Sequence, residues 1–240
     1  MVESVNTYLP FVTSTITFVF AALVLQRYLW RRHTHLLVWG VGLILYAVGG
    51  LMEGLYGALG WHPWIFRVWY LAGAVLVAAW LGQGTAFLLT RGRTRRLAHG
   101  LMVLLVLGST YAAVKVFTAT LDPTQMLGGE LSGHAIVTPG VRVLTPFFNT
   151  YGVLLLVGGA LYSAWIFWRK RILLNRVIGN VFIAVGAMAP ALGGLFQRYG
   201  LHYVLYIGEL TGAVLMFIGF IWATTPARVP SVSRSQTSNT

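Results

Sequence analysis

The chain has 240 residues, 57% of them hydrophobic and only 9% charged, with a formal net charge of +12 and no cysteine. A soluble domain carries about a quarter charged residues, so this chain lacks the polar surface to coat a globule in water and must turn apolar surface toward lipid. Basic charge on such a chain marks loops on one side of a bilayer, not a nucleic-acid surface, and the missing cysteines exclude disulfides, thiolate metal sites and thiol nucleophiles.

Seven stretches reach the roughly 20 apolar residues that a helix needs to cross a hydrocarbon core. The first, Tyr8–Tyr28, has no basic run before it and Arg31 and Arg32 after it, the pattern of an N-out anchor and not of a secretory signal. The second, Leu36–Leu59, carries Glu53 and the Gly50–Gly54 spacing that lets helices approach closely in lipid. Arg67 and Tyr70 lie early in the third, Trp64–Leu89, and Lys115 lies late in the fourth, Leu97–Ala119. The Gly- and Pro-containing segment Thr120–Val143 is the one long connection, of a length often used to cap a site. The fifth span, Leu144–Trp168, holds Asn149 and Tyr151; the sixth, Leu173–Phe196, contains Pro190, a kink and hinge candidate. The seventh, Leu201–Ala223, carries Tyr203, Tyr206 and Glu209, and a Ser/Thr/Arg-rich tail with a disordered composition follows.

Orientation follows from charge. Arg27, Arg31, Arg32, Arg91, Arg93, Arg95, Arg96, Arg169, Lys170, Arg171, Arg176, Arg228 and Arg234 all fall on one side of the count, and no acidic residue joins them. The other side holds Arg142, Arg198, Glu3, Asp122 and Glu130. The positive-inside rule then puts the N-terminus out and the C-terminus in. Trp61 and Trp64 outside, with Trp30, Trp39, Trp168 and Trp222 inside, fit interfacial belts.

The first three spans also resemble the last three. Pro10-Phe11 corresponds to Pro146-Phe147, and Trp30-Arg31-Arg32 to Trp168-Arg169-Lys170. Gly42 matches Gly179, Ala47-Val48-Gly49 matches Ala184-Val185-Gly186, and Gly73-Ala74-Val75-Leu76 matches Gly212-Ala213-Val214-Leu215. Spacings agree to within about two residues, the size of a loop indel. The expected fold is therefore an all-α membrane protein of seven transmembrane helices, N-out and C-in, with two parallel three-helix repeats. The first repeat covers residues 1–90 and the second 144–226. A linker helix and external loop (91–143) join them, and a cytoplasmic tail (227–240) follows.

A 3+1+3 arrangement of this orientation resembles the topology of microbial opsins, of SWEET/PQ-loop sugar carriers and, more loosely, of G-protein-coupled receptors. The family motifs are absent. Opsins carry a Schiff-base lysine four residues after an acidic residue in the seventh helix; here Glu209 is followed at that spacing by Ala213, and the span has no lysine, which counts against retinal. No Pro-Gln pair occurs, the third span ends without an acidic-Arg pair, and the seventh has no Asn-Pro-x-x-Tyr.

Charges inside a span are costly and point by default to function. Glu53 and Glu209 sit at similar depth, roughly 9–12 Å below the outer surface at 1.5 Å per residue. With Arg67, Lys115, Tyr70 and Asn149 they form the candidate ligand- or proton-binding site, in which Arg67 or Lys115 is expected to pair with a glutamate. Fixing helix register through buried ion pairs is the competing role. Gln83, Asn175 and Asn180 fit interhelical amide bonds. The six histidines lie in loops or near span ends, so neither a metal nor a mid-membrane haem is expected, and no cofactor signature is present. Three functions remain: a small-solute or ion/proton-coupled transporter or ligand-binding membrane protein, a sensor, receptor or accessory subunit, and, last, a lipid- or isoprenoid-modifying enzyme. The expected location is a cell membrane, of bacterial cytoplasmic type, with anionic lipids at the cytoplasmic face and a small molecule as partners and no nucleic acid.

Overall fold

The computed structural model describes residues 2–126, 130–171, 173–197 and 203–225. Within them the chain forms seven helices, each long and apolar enough to cross a membrane: α1 (Val2–Arg31), α2 (Thr34–Leu59), α3 (Pro63–Leu89), α4 (Thr94–Thr118), α5 (Leu144–Arg169), α6 (Leu174–Gln197) and α7 (Tyr203–Thr224). Arg198, His202, Arg228, Arg234 and the tail from 227 onward lie outside the described residues, as do the side chains of Glu3 and Tyr203. Local chemistry sets the boundaries. Gly60, at φ 79° and ψ −164°, takes a positive-φ extended conformation open essentially to glycine alone and ends α2, and Pro63 opens α3 where its missing N–H costs nothing.

Six helices close a ring in the order α1, α2, α3, α5, α6, α7, with α7 returning to α1. The fourth helix stands outside that ring and packs chiefly on α3. All six ring helices feed one apolar centre that includes Phe20 and Val24 from α1, Leu43 from α2, Leu81 from α3, Leu156 from α5, Ile183 from α6, and Met216 and Phe220 from α7. Glycines permit the tightest approaches. A Cβ on Gly49 of α2 would stand 2.8 Å from the Gly73 Cα of α3, and one on Gly186 of α6 would stand 2.9 Å from the Gly212 carbonyl oxygen of α7.

Three features differ from what hydropathy suggests. The third span is not a uniform α-helix: Tyr70–Leu76 forms a π-helical turn, and the Val77 N–H reaches back five residues to the Ala72 carbonyl. Such turns disturb the regular backbone ladder, and here the Asn149 amide of α5 donates to the Ala74 carbonyl at 3.1 Å. Trp39 is not an interfacial belt residue but turns inward, its indole N–H donating to the Leu81 carbonyl at 3.0 Å. Asn180 bonds the Arg176 carbonyl of its own helix and joins no other helix among the described residues, whereas Gln83, fully buried, does link helices by donating to Ala98 of α4 and accepting from Tyr151 of α5. The sixth helix runs through Pro190 without interruption, and Gly212 leaves room for the proline ring.

The connection between α4 and α5 folds back onto the bundle. Leu131, Ala135, Ile136 and Val141 are buried against Phe66, Trp69, Tyr70, Ala112 and Val116. A short antiparallel bridge between Leu121 and Ile136 closes it. It is a cap with its own apolar underside.

Candidate functional site

Glu53 lies six residues before the end of α2, under this cap, and is only 5% exposed. Its Oε1 accepts the indole N–H of Trp69 at 2.6 Å, while Oε2, fully buried, receives no N–H or O–H. The Glu209 carboxyl of α7 lies within hydrogen-bonding reach of the Glu53 carboxyl. Two ionised carboxylates are both acceptors and cannot bond each other. That orphaned oxygen and its neighbouring acid therefore make a complete bond only with one proton, or a small cation, between them.

Sequence spacing places the surrounding groups. Tyr46 precedes Glu53 by seven residues, two helical turns along the same face, and its hydroxyl donates to the Glu209 carbonyl at 2.8 Å, tying α2 to α7. Tyr206 is one turn before Glu209, is buried, and stands within charge reach of Glu53, Glu209 and Glu130. Glu130, in the cap, also acts on Glu53 and on Tyr56. The site is thus acidic and aromatic. Trp69 and Tyr46 escape a search for charged residues, although the two-turn spacing of Tyr46 from Glu53 is readable in the sequence.

The remaining candidates are placed elsewhere. Arg67 pairs with neither glutamate; one guanidinium N–H donates to the Ala119 carbonyl at 2.9 Å and its Nε is buried without a partner. The reason is rotation: Arg67 and Trp69 are two residues apart, about 200° around the helix, so the side of α3 that meets Glu53 is not the side carrying Arg67. Lys115 is exposed, its ammonium 5.6 Å from the Tyr111 ring centroid. The Tyr70 hydroxyl pairs with Thr145 Oγ1 at 2.8 Å, joining α3 to the start of α5 beneath Gly133 of the cap. Asn149 serves the π turn, so these residues hold the cap and α3 in place around the acid pair. Asn149→Leu should lower stability by about 0.6–1.7 kcal/mol, the range for an interhelical hydrogen bond in a membrane protein, measurable by reversible unfolding in mixed micelles.

The cap is itself pinned by Asp122, whose carboxylate accepts both the backbone N–H and the hydroxyl of Thr124, at 3.0 and 2.6 Å. These bonds hold the Asp122 carboxyl below the usual carboxylate range. A lowered folded-state pKa means that the stabilisation is present above the unfolded value and is lost as pH falls through the folded one. Asp122→Ala should therefore speed hydrogen exchange at the Thr124 amide at neutral pH, and acidifying the wild type through its Asp122 titration should have the same effect after correction for intrinsic rates.

Among the described residues no group of three or more His, Cys, Asp or Glu side chains is arranged to hold a metal ion. Comparison with known protein families finds no model that matches the chain, and no curated protein matches it either. What remains is the geometry: a seven-helix bundle of membrane-spanning length with a capped acid pair inside it.

Proposed function

We propose that the protein is a proton- or ion-coupled carrier of small solutes in a cell membrane, of bacterial cytoplasmic type, and that Glu53 and Glu209 are its coupling site. The observation that carries this reading is the pairing of two acids from α2 and α7, with no basic partner among the described residues and with Glu53 Oε2 receiving no donor. A structural acid would be expected to have all its lone pairs occupied; a carrier site must be left able to take up and give back a proton.

The two-half reading supports it. With α1–α3 equivalent to α5–α7, the contact of α1 with α7 becomes that of α5 with α3, and these two contacts close the ring. The glycine approaches obey the same exchange, since Gly49 and Gly73 correspond to Gly186 and Gly212. Parallel repeats of this kind fit carriers whose halves rock about a shared site, with α4 as the linker outside them and Pro190 as a hinge in the second half. With the basic ends of the helices inside, the acid pair lies toward the outer surface, beneath the cap. Below it, the apolar centre around Phe20, Leu81, Met216 and Phe220 separates it from the cytoplasmic end.

The test is reconstitution into vesicles loaded with a pH-sensitive dye, with an imposed potassium potential and a panel of small solutes. Wild-type protein should give solute-dependent proton movement that the Glu53→Gln/Glu209→Gln double variant lacks. Failure of every solute, with a second protein co-purifying, would identify a sensor or accessory subunit instead.

A further inference from the structure

At the basic end of the bundle, the turn between α5 and α6 borders a cleft of about 510 Å³ lined by Phe167, Trp168, Arg169, Arg171, Leu174 and Val177. Its walls divide by chemistry, with two guanidinium groups beside an aromatic and aliphatic surface. Trp168 and Leu174 are 68% and 67% exposed, so the apolar wall of the cleft is open to an occupant.

Three further observations define the occupant. Arg171 and Leu173 both adopt the left-handed region, at φ 50° and 55°. Neither is a glycine, so the turn holds strain of the kind that collects at binding sites. Arg169 stacks on the Trp165 ring and Arg176 on the Phe167 ring, each guanidinium 5.4 Å from the ring centroid, which holds the charges beside the apolar wall. Finally, no acidic residue lies at this end of any helix, so the field is wholly positive and selects an anion.

We infer that this cleft is a binding site for an anionic phospholipid, the phosphodiester on Arg169 and Arg171 and the glycerol and upper acyl chain along Trp168, Leu174 and Val177. Arginine forks match phosphate oxygens two at a time, and tryptophan favours the boundary between headgroup and chain. The α1–α2 turn has some of the same parts, with Trp30 77% exposed and Arg32 at φ 52°, but there Arg32 lies over its own helix's Tyr28; at the α3–α4 connection Arg95 donates to Thr34. This site deepens the expectation of anionic lipid at the cytoplasmic face into one specific location, and it stands independently of the acid pair.

The test uses the full-length protein in detergent, titrated with phosphatidylglycerol or phosphatidylcholine and read by native mass spectrometry for retained lipid. Phosphatidylglycerol should be retained preferentially. Arg169→Gln/Arg171→Gln should weaken it by about tenfold or more, the scale of a lost charge-assisted bond. Trp168→Ala should weaken the lipid but leave competition by soluble glycerol phosphate unchanged. Equal losses from Arg91→Gln/Arg93→Gln would show a diffuse field and overturn the site, as would equal retention of phosphatidylcholine. Glycerol phosphate competing as well as the intact lipid would assign the arginines to a free phosphate instead.

Discussion

Replacing Glu53 with glutamine is expected to abolish proton-coupled flux while leaving the bundle as stable as before. Glutamine keeps the shape of the side chain. Its amide oxygen can still accept the Trp69 indole, which now bonds Glu53 Oε1 at 2.6 Å, and its amide nitrogen can donate to Glu209, filling the position that is orphaned in the wild type. What it loses is the exchangeable proton. Removing a positioned proton-transfer group costs about 100-fold or more in rate, whereas the hydrogen bonds are all replaced. If the pair only fixed helix register, flux would survive the substitution. Trp69→Phe makes the opposite case, because it strands Glu53 Oε1 in the interior and should destabilise by about 1–3 kcal/mol. Infrared spectroscopy separates the two directly. The carbonyl stretch of a protonated carboxyl should be present in the wild type and in Trp69→Phe and diminished in Glu53→Gln. A wild-type spectrum without that band, at any pH where the protein folds, would sink the shared-proton reading.

The spans were legible because lipid imposes one demand on every residue along them, and composition records it. Seven apolar stretches predict seven helices, and most boundaries move by only a few residues, as at Thr94, where α4 begins three residues before the predicted Leu97. The largest shift is at α1, which begins at Val2, six residues before the predicted Tyr8. The Glu53 and Glu209 carboxyls do meet, and that the two residues lie level with each other was legible from their counts along the two spans. Rotation around each helix was not. Nothing in the composition of Tyr70–Leu76 announces a π turn, and a third span read as featureless could not show that Arg67 points to Ala119. The cap was only half legible: its length and glycines suggested a cover, but the burial of Leu131 and Ile136 depends on which residues of α3 and α4 lie beneath them. Trp39 shows the limit of positional rules, since a tryptophan near a span end is usually interfacial and this one finds its partner inside, at Leu81.

The glycine pairs give a second large effect, this time on folding. Gly49→Ala and Gly186→Ala should each destabilise the protein by about 1–3 kcal/mol, the cost of overpacking a filled interface. Alanine in a helix gains up to about 1 kcal/mol over glycine from backbone entropy, so the outcome depends on the room for the methyl group. At Gly49 that group meets backbone of α3 at 2.8 Å, and at Gly186 it meets the Met216 nitrogen of α7 at 2.8 Å. Backbone cannot rotate away as a side chain can, so the helices must separate and the propensity gain is overcome. Gly158 on α5 supplies the control. A Cβ there meets nothing within 4 Å, and Gly158→Ala should be neutral or mildly stabilising. Equivalent costs at Gly49 and Gly186, set against no cost at Gly158, are what two halves built on one packing plan require. A large loss at one glycine and none at the other would leave the halves alike in sequence but not in how they hold together, and would remove the symmetry on which a rocking mechanism depends.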